Sequence, residues 1–386
     1  MAFDKIEKLM DNYICNNCLG RQYSRFSRGL TNYERGKILR IIIDNRKAIL
    51  KNKKPRKCYV CNGLFDNLDK WTEKAKTKLK KIEFNSLLVG TKLSNNLAEK
   101  EEKLWEKIGI ENTEPLKAEL NREIGKRLEA YFKKSAEFKN PDILIILNLE
   151  KNKVELEINP LYIFGYYKKL QRGFPQCKWG TPGHYKTSIQ EIIAKPVMRL
   201  TKGKDNKFHG AGREDIDARC LGWRPFVVEI LKPVKRRIDL KRIIKEINKT
   251  KKVNVKGLKY SDMITVRRIK DFKGDKAYRL LVKFENPIKK ERLKDLKRLV
   301  GMIQQRTPQR VAHRRADLIR RREVKEMNYR LINKKTLELK IKGTAGLYVK
   351  ELVSGDKGRT KPSVSEILGI EARPVELDVI KIEKFK

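Results

Sequence analysis

Two Cys-x2-Cys pairs, Cys15/Cys18 and Cys58/Cys61, constrain this 386-residue chain more tightly than any other feature. Each pair turns two sulfurs toward one point, and four thiolates converging on one point are the donor set of a tetrahedral Zn²⁺. A glycine follows each pair (Gly20, Gly63). The stretch between the pairs is longer than the roughly 15–20 residues usual in such sites, so it must loop out. Within it, "YERGKILRIIIDNRKAIL" reads as a helix with Ile and Leu on one face. No open-site ligand such as His or Glu flanks the knuckles, so the expected zinc is structural. Cys177 and Cys220 stand alone and read as packing residues.

Charge restricts the partner. Lys and Arg number 93 against 48 acids, a net charge of +45. A compact body with that much like charge repels itself, and a polyanion relieves the repulsion by releasing counterions. RNA or DNA is the natural candidate; an acidic membrane surface is the competitor. There is no apolar run of about 18 residues and no signal peptide, so a membrane-spanning protein is not expected. A basic, signal-free chain reads as cytoplasmic, where thiols stay reduced and CxxC pairs serve metals rather than disulfides.

Three segments follow from the patterning. Residues 1–75 carry the knuckles. Residues 76–180 hold "EPLKAELNREIGKRLEAYF", with Leu116, Leu120, Ile124 and Leu128 on one stripe, and then "DILIILNL" and "KVELEI", the latter alternating as a half-buried strand does. "QRGFPQCKWGTPG" reads as a linker. In residues 181–386 the expected strands are "RPFVVEIL", "DMITVRRI", "AYRLLVKF" and "TLELKIKG", with a hairpin around "KDFKGDK". "KRIIKEINKT" and "KKERLKDLKRLVGMI" read as helices. This is not a regular βαβ alternation, so the fold class is α+β, with a mixed, mainly antiparallel sheet covered by helices.

The chemistry concentrates in "GREDIDARCLGWRPF", Gly212 to Phe226. Asp215 and Asp217 lie two apart, on one side of an extended chain, between Arg213 and Arg219. Cations beside a carboxylate favour its charged form. The plain alternative is a surface ion-pair cluster. The preceding "FHGAG" lets backbone approach a ligand, and the apolar strand after it anchors the loop. Asp217 is assigned to holding the loop through Arg219 or a backbone amide. The three histidines are scattered, so carboxylate chemistry is favoured over histidine acid–base work. "RTPQRVAHRRADLIRRR", Arg306 to Arg322, is dense in Arg with a single acid, as a phosphate-gripping loop entering a short helix would be. Tyr278 sits on a strand in phase with Leu280 and Val282; alone, it reads as core.

Three stretches together resemble the archaeal and eukaryotic tRNA pseudouridine-54/55 synthases (the Pus-ten family). They are "KFHGAGREDIDARCLGWRPFVVEI", "QQRTPQRVAHRRADLIRRREV" and "GTAGLYVKELVSGDKGRTKPSVSEILG". The resemblance implies a carboxy-terminal pseudouridine synthase domain behind a zinc knuckle and a THUMP-like RNA-binding module. It implies tRNA as partner, no organic cofactor, no membrane, and a monomer. It makes Asp215 the catalytic aspartate and Tyr278 the ring that stacks on uracil. Lys350 becomes the basic partner of the aspartate and Leu368 the aliphatic residue under the site. Arg213, Arg310, Arg314 and Arg315 become RNA contacts. Two other readings fit the same charge and knuckles: a non-catalytic zinc-containing RNA-binding protein, and another THUMP-bearing tRNA modifier such as a methyltransferase. The stretch around Asp215 disfavours the first. The lack of a Gly-rich cofactor loop after a strand disfavours the second.

Overall fold

A computed structural model describes residues 12–26, 29–46, 57–178, 185–313 and 315–385. Two compact units emerge. The first ends at Pro160 and takes in Lys232–Arg236; the second comprises Leu161–Leu231 and Arg237–Lys386. No helix among the described residues is long and apolar enough to cross a membrane.

In the first unit the cysteine knuckles and the α/β module share one core. Ile14, Cys18, Val60 and Cys61 join the same buried cluster as Leu120, Ile124 and Ile145. Helix Asn16–Gly20 crosses helix Asn32–Arg46 so closely that a Cβ on Gly20 would lie 1.8 Å from the Asn32 carbonyl oxygen, and one on Gly36 would lie 1.9 Å from that of Asn16. Glycine is therefore obligatory at both positions. The second helix forms as its sequence suggests, but only part of its Ile and Leu face meets the core: Ile43 is buried and Leu39 packs against it, whereas Ile41 is 52% exposed. The buried positions among those described are Asn32, Arg35, Gly36 and Ile43, because the glycine contact fixes which side turns inward. Four strands, β1 (Ser86–Lys92), β2 (Ser135–Ala136), β3 (Ile143–Asn148) and β4 (Lys153–Ile158), form a sheet ordered β2-β1-β3-β4. Helix Leu116–Phe132 carries the Leu116, Leu120, Ile124 and Leu128 stripe, fully buried as the spacing requires.

The second unit is built on a ten-stranded sheet. Its strands are β5 (Leu161–Lys169), β6 (Asp205–Gly210), β7 (Arg219–Leu231), β8 (Val253–Ser261), β9 (Lys276–Phe284), β10 (Gly301–Arg306), β11 (Ile319–Asn333), β12 (Thr336–Gly343), β13 (Thr360–Lys361) and β14 (Ala372–Ile382). The order is β13-β10-β11-β12-β9-β14-β7-β5-β8, with β6 also on β7. Only the β7–β14 pairing is parallel. The α+β class with a mainly antiparallel sheet is therefore what the chain adopts. The sequence divides the chain at 180/181, whereas the units part at 160/161, because β5 hydrogen-bonds to β7 and β8 within this sheet.

Two elements differ from the sequence reading. "DMITVRRI" is a helix, Met263–Asp271, not a strand. The Asp262 side chain accepts a hydrogen bond from Thr265 N at 2.8 Å and caps the helix, which overrides the β-branched content. The expected hairpin is thus a helix-to-strand connection. "KKERLKDLKRLVGMI" is 3₁₀-helical only over Lys290–Leu299. Gly301, at φ +120°, turns the chain into β10.

Candidate active site

The loop between β6 and β7 is held from beneath. Lys169 on β5 is fully buried, and its ammonium donates to the carbonyls of Asp215 (3.1 Å) and Ile216 (2.8 Å). Glu214 turns inward and pairs with buried Arg224 at 3.1 Å. It also accepts the Tyr167 hydroxyl at 3.0 Å. Burial, reinforced by the Glu214 charge, pushes that phenol well above its ordinary pKa, so it remains a donor. Gln176, from the stretch read as a linker, donates to the Tyr167 hydroxyl (2.8 Å) and the Gly212 carbonyl (3.0 Å). Gly212, at φ +80°, has the Arg224 guanidinium 3.1 Å from where a Cβ would stand. With Glu214 anchored inward, Asp215 faces outward.

Asp215 meets two cations. Lys350, in the first turn of helix Val349–Ser354, lies 3.3 Å from one carboxylate oxygen, and Arg310 lies 3.6 Å from the other. Arg310 is steered by a 2.6 Å hydrogen bond to the buried carboxylate of Glu351. Lys350 also donates to both oxygens of Asp217 at 2.8 Å. Burial opposes the Asp217 charge, but Lys350 prevails and holds its carboxyl below the usual range. Asp217 is thus held by Lys350 and not by Arg219. Arg219 grips Asp378 on β14 at 2.9 and 2.8 Å, together with Arg279 and Arg172.

Asp215, Lys350 and Arg310 border a cleft of about 270 Å³. Tyr278 forms part of its wall and is 7% exposed; burial pushes its phenol up to about 12. Arg213 and Arg315 line it too, and Arg315 donates to the Tyr348 hydroxyl at 3.0 Å. Arg314 lies outside the described residues. Leu368 does not line the cleft. It is buried in the core of the unit, and its carbonyl accepts from Arg292 at 2.9 Å. The aliphatic residues that do line the cleft include Leu377 and Val379 of β14, the latter opposite Tyr278 in register. Lys276, two residues before Tyr278, was not singled out by sequence and also lines the cleft.

In the first unit the four knuckle sulfurs all lie within 4.8 Å of one another, with Cys15 and Cys61 at 3.7 Å. Bonds of about 2.3 Å to a tetrahedral Zn²⁺ would place sulfurs roughly 3.8 Å apart. The donor set and its spacing therefore fit a metal ion of this kind.

Against known proteins, the family description "Pus10, C-terminal" matches residues 162–383. The chain belongs to the Pus10 family. The description "Pus10 THUMP domain, archaeal" matches residues 71–148. Two Pus10 relatives, each called tRNA pseudouridine synthase Pus10, are both 40% identical to this chain. The one from Methanothrix thermoacetophila aligns with 96% of this chain and 91% of itself. The one from Pyrococcus furiosus aligns with 99% and 98%. A solved Cbf5-Nop10-Gar1 complex covers 57% of this chain and 50% of the matched chain, at 16% identity and a TM-score of 0.34, a likeness too slight to argue from. The cleft around Asp215 falls within the stretch matched by the Pus10 carboxy-terminal description.

Proposed function

We propose that this chain converts uridine to pseudouridine in the T-arm of tRNA, at position 54, 55 or both, with Asp215 as the catalytic carboxylate. The observation that carries the reading is the placement of Asp215 between Lys350 and Arg310 at the rim of a cleft that also holds Tyr278. The reaction is an isomerisation: N1–C1′ opens, the base turns, and C5 joins C1′. Reactant and product hold the same atoms and electrons. Asp215 either attacks C1′ or takes a ribose proton, and both routes use an oxygen lone pair that Lys350 and Arg310 orient. The target uridine must leave its stack to enter the cleft, where Tyr278 offers a face for the uracil ring. Leu377 and Val379, rather than Leu368, supply the apolar floor. Arg213 and Arg315 at the cleft lining meet RNA phosphate, and the +45 net charge supports polyanion binding throughout.

In the first unit, Cys15, Cys18, Cys58 and Cys61 hold a structural Zn²⁺ that would cross-link the two knuckles. The THUMP module then serves tRNA binding. Incubation with unmodified tRNA transcript, followed by carbodiimide treatment and primer extension, tests the whole reading. Pseudouridine at 54 or 55 is expected with the native protein. Asp215→Asn should bind tRNA and form none. Normal product from Asp215→Asn would remove Asp215 from the chemistry.

A further inference from the structure

Lys276 opens β9 two residues before Tyr278, so its side chain leaves the strand on the same face. It is 9% exposed and lines the cleft. Its ammonium donates to the Gly274 carbonyl at 3.3 Å, a long contact. Among the described residues no carboxylate forms an ion pair with it. The adjacent Asp275 is taken by Lys325 at 2.7 Å. The ionisable groups that bear on Lys276 are Arg224 and Cys220 from β7 and its own neighbour Asp275. Arg224 is already paired with Glu214. A buried ammonium with no counter-ion is expensive, and such groups concentrate where function requires them. Burial first, and Arg224 next, push its pKa down to about 8. At neutral pH it therefore still holds its proton and can only donate.

Opening N1–C1′ produces the missing anion. The bonding pair leaves with N1, so the base becomes uracilate with one negative charge shared by its ring nitrogens and carbonyl oxygens. C1′ is left electron-poor. Asp215 either bonds to it or takes the proton whose loss relieves it; the charge on the base is the same in both cases. Recombination through C5 forms the new bond to C1′ as Asp215 leaves C1′ or gives the ribose proton back, and the C5 proton is exchanged for one on N1. A neutral uridine enters, and the negative charge exists only between the two bond changes. A cation fixed in the cleft wall acts most strongly there, which is what lowers a barrier. We propose that Lys276 is a catalytic residue that receives the departing base, its ammonium hydrogen-bonding a uracil carbonyl and stabilising the uracilate. The proposal rests on the reading of the Asp215 cleft given above.

The test compares Lys276→Met, Lys276→Arg and Asp215→Asn under single turnover, with tRNA affinity measured separately. Two transcripts are used, one with uridine and one with 5-fluorouridine, whose base departs as the weaker base; because its C5 carries fluorine and has no proton to lose, pseudouridine cannot form from it, and the rate followed on both transcripts is loss of the starting N-glycoside. Lys276→Met should lose roughly 10²–10³-fold in rate, the scale of losing one preorganised donor to a developing anion, with tRNA affinity unchanged. Lys276→Arg should recover part of the rate. On the fluorinated transcript the Lys276→Met deficit should shrink roughly tenfold, which a packing role would not produce. If Asp215→Asn remains active, the cleft itself has been misassigned and Lys276 falls with it. If Asp215→Asn is inactive but Lys276→Met is within about threefold of native, or is equally impaired on both transcripts, the role of Lys276 alone is overturned. Should Lys276→Met fail to fold, Lys276→Gln carries the same comparison.

Discussion

Glu214→Gln isolates the electrostatics beneath the Asp215 loop. The substitution keeps the size of the side chain and an acceptor for the Tyr167 hydroxyl, but it removes the charge facing Arg224. Both partners are essentially inaccessible, with side-chain exposures of 0% and 1%. Burial pushes the Cys220 thiol up to about 11, so at neutral pH it stays uncharged and cannot replace the lost carboxylate. The guanidinium would retain its hydrogen bond to the Ala211 carbonyl at 2.7 Å and no anion among the described residues. Removing one partner of a buried pair typically costs about 3–5 kcal/mol. A domain of about 220 residues shifts its midpoint by roughly 2–4 °C per kcal/mol, so a fall of roughly 6–20 °C is expected for the second unit. Denaturant titration at equilibrium gives the same quantity where heating is irreversible. Glu214→Gln with Arg224→Met should recover most of the loss, because two charges leave together. A single variant within about 0.5 kcal/mol of native, or a double variant less stable than the single, would refute the claim that the pair is a mutually dependent buried unit.

Other expectations follow from the same geometry. Lys276 has a folded pKa of about 8 against an ordinary 10.5, so above pH 8 the unfolded chain binds more protons and stability should rise with pH up to about 10.5. The ceiling is about 3 kcal/mol, and Lys276→Met should reduce the rise in a pH-dependent denaturation series, leaving the share owed to Lys169, whose pKa burial also lowers; an unchanged slope would contradict the burial argument. Purified protein should contain about one zinc per chain by elemental analysis, and chelation should loosen the first unit in hydrogen exchange; four freely titrating knuckle thiols in the native protein would exclude the site. Arg213→Ala and Arg315→Ala should each weaken tRNA binding and flatten the log–log salt slope by roughly one; an unchanged slope would leave these side chains as solvated surface.

Where local pattern decides structure, the sequence was readable. The Leu116–Leu128 stripe and the alternation of Tyr278, Leu280 and Val282 each face a core as spaced. Where a single residue overrides the pattern, it was not. Asp262 converts a β-branched run into a helix by capping it, and the 3₁₀ turn that charge and leucine spacing would have continued stops at Leu299, where Val300 is already extended and Gly301, at φ +120°, opens β10. In Asn32–Arg46 only Leu39 and Ile43 of the apolar face pack inward, because two glycine contacts set the rotation of the helix.

The Asp215 loop divides along the same line. Asp215 and Asp217 were placed on one side by alternation, and in the structure both reach Lys350. Their expected flanking partner Arg219 is instead claimed by Asp378, more than a hundred positions away, and no local rule announces that. Glu214, Tyr167, Gln176 and Lys169 escaped notice for the same reason: each has an ordinary neighbourhood in sequence and meets the others only through the β5–β7 pairing. Lys276 is different, because a sequence signal for it exists. It stands in phase with Tyr278, Leu280 and Val282, so the alternation that buries those three must bury an ammonium as well. A charged residue locked into an apolar stripe is a conflict between local pattern and physical cost. Proteins retain such conflicts chiefly at working sites. The same argument assigns no function to Lys283, which falls on the opposite phase of the strand and is exposed.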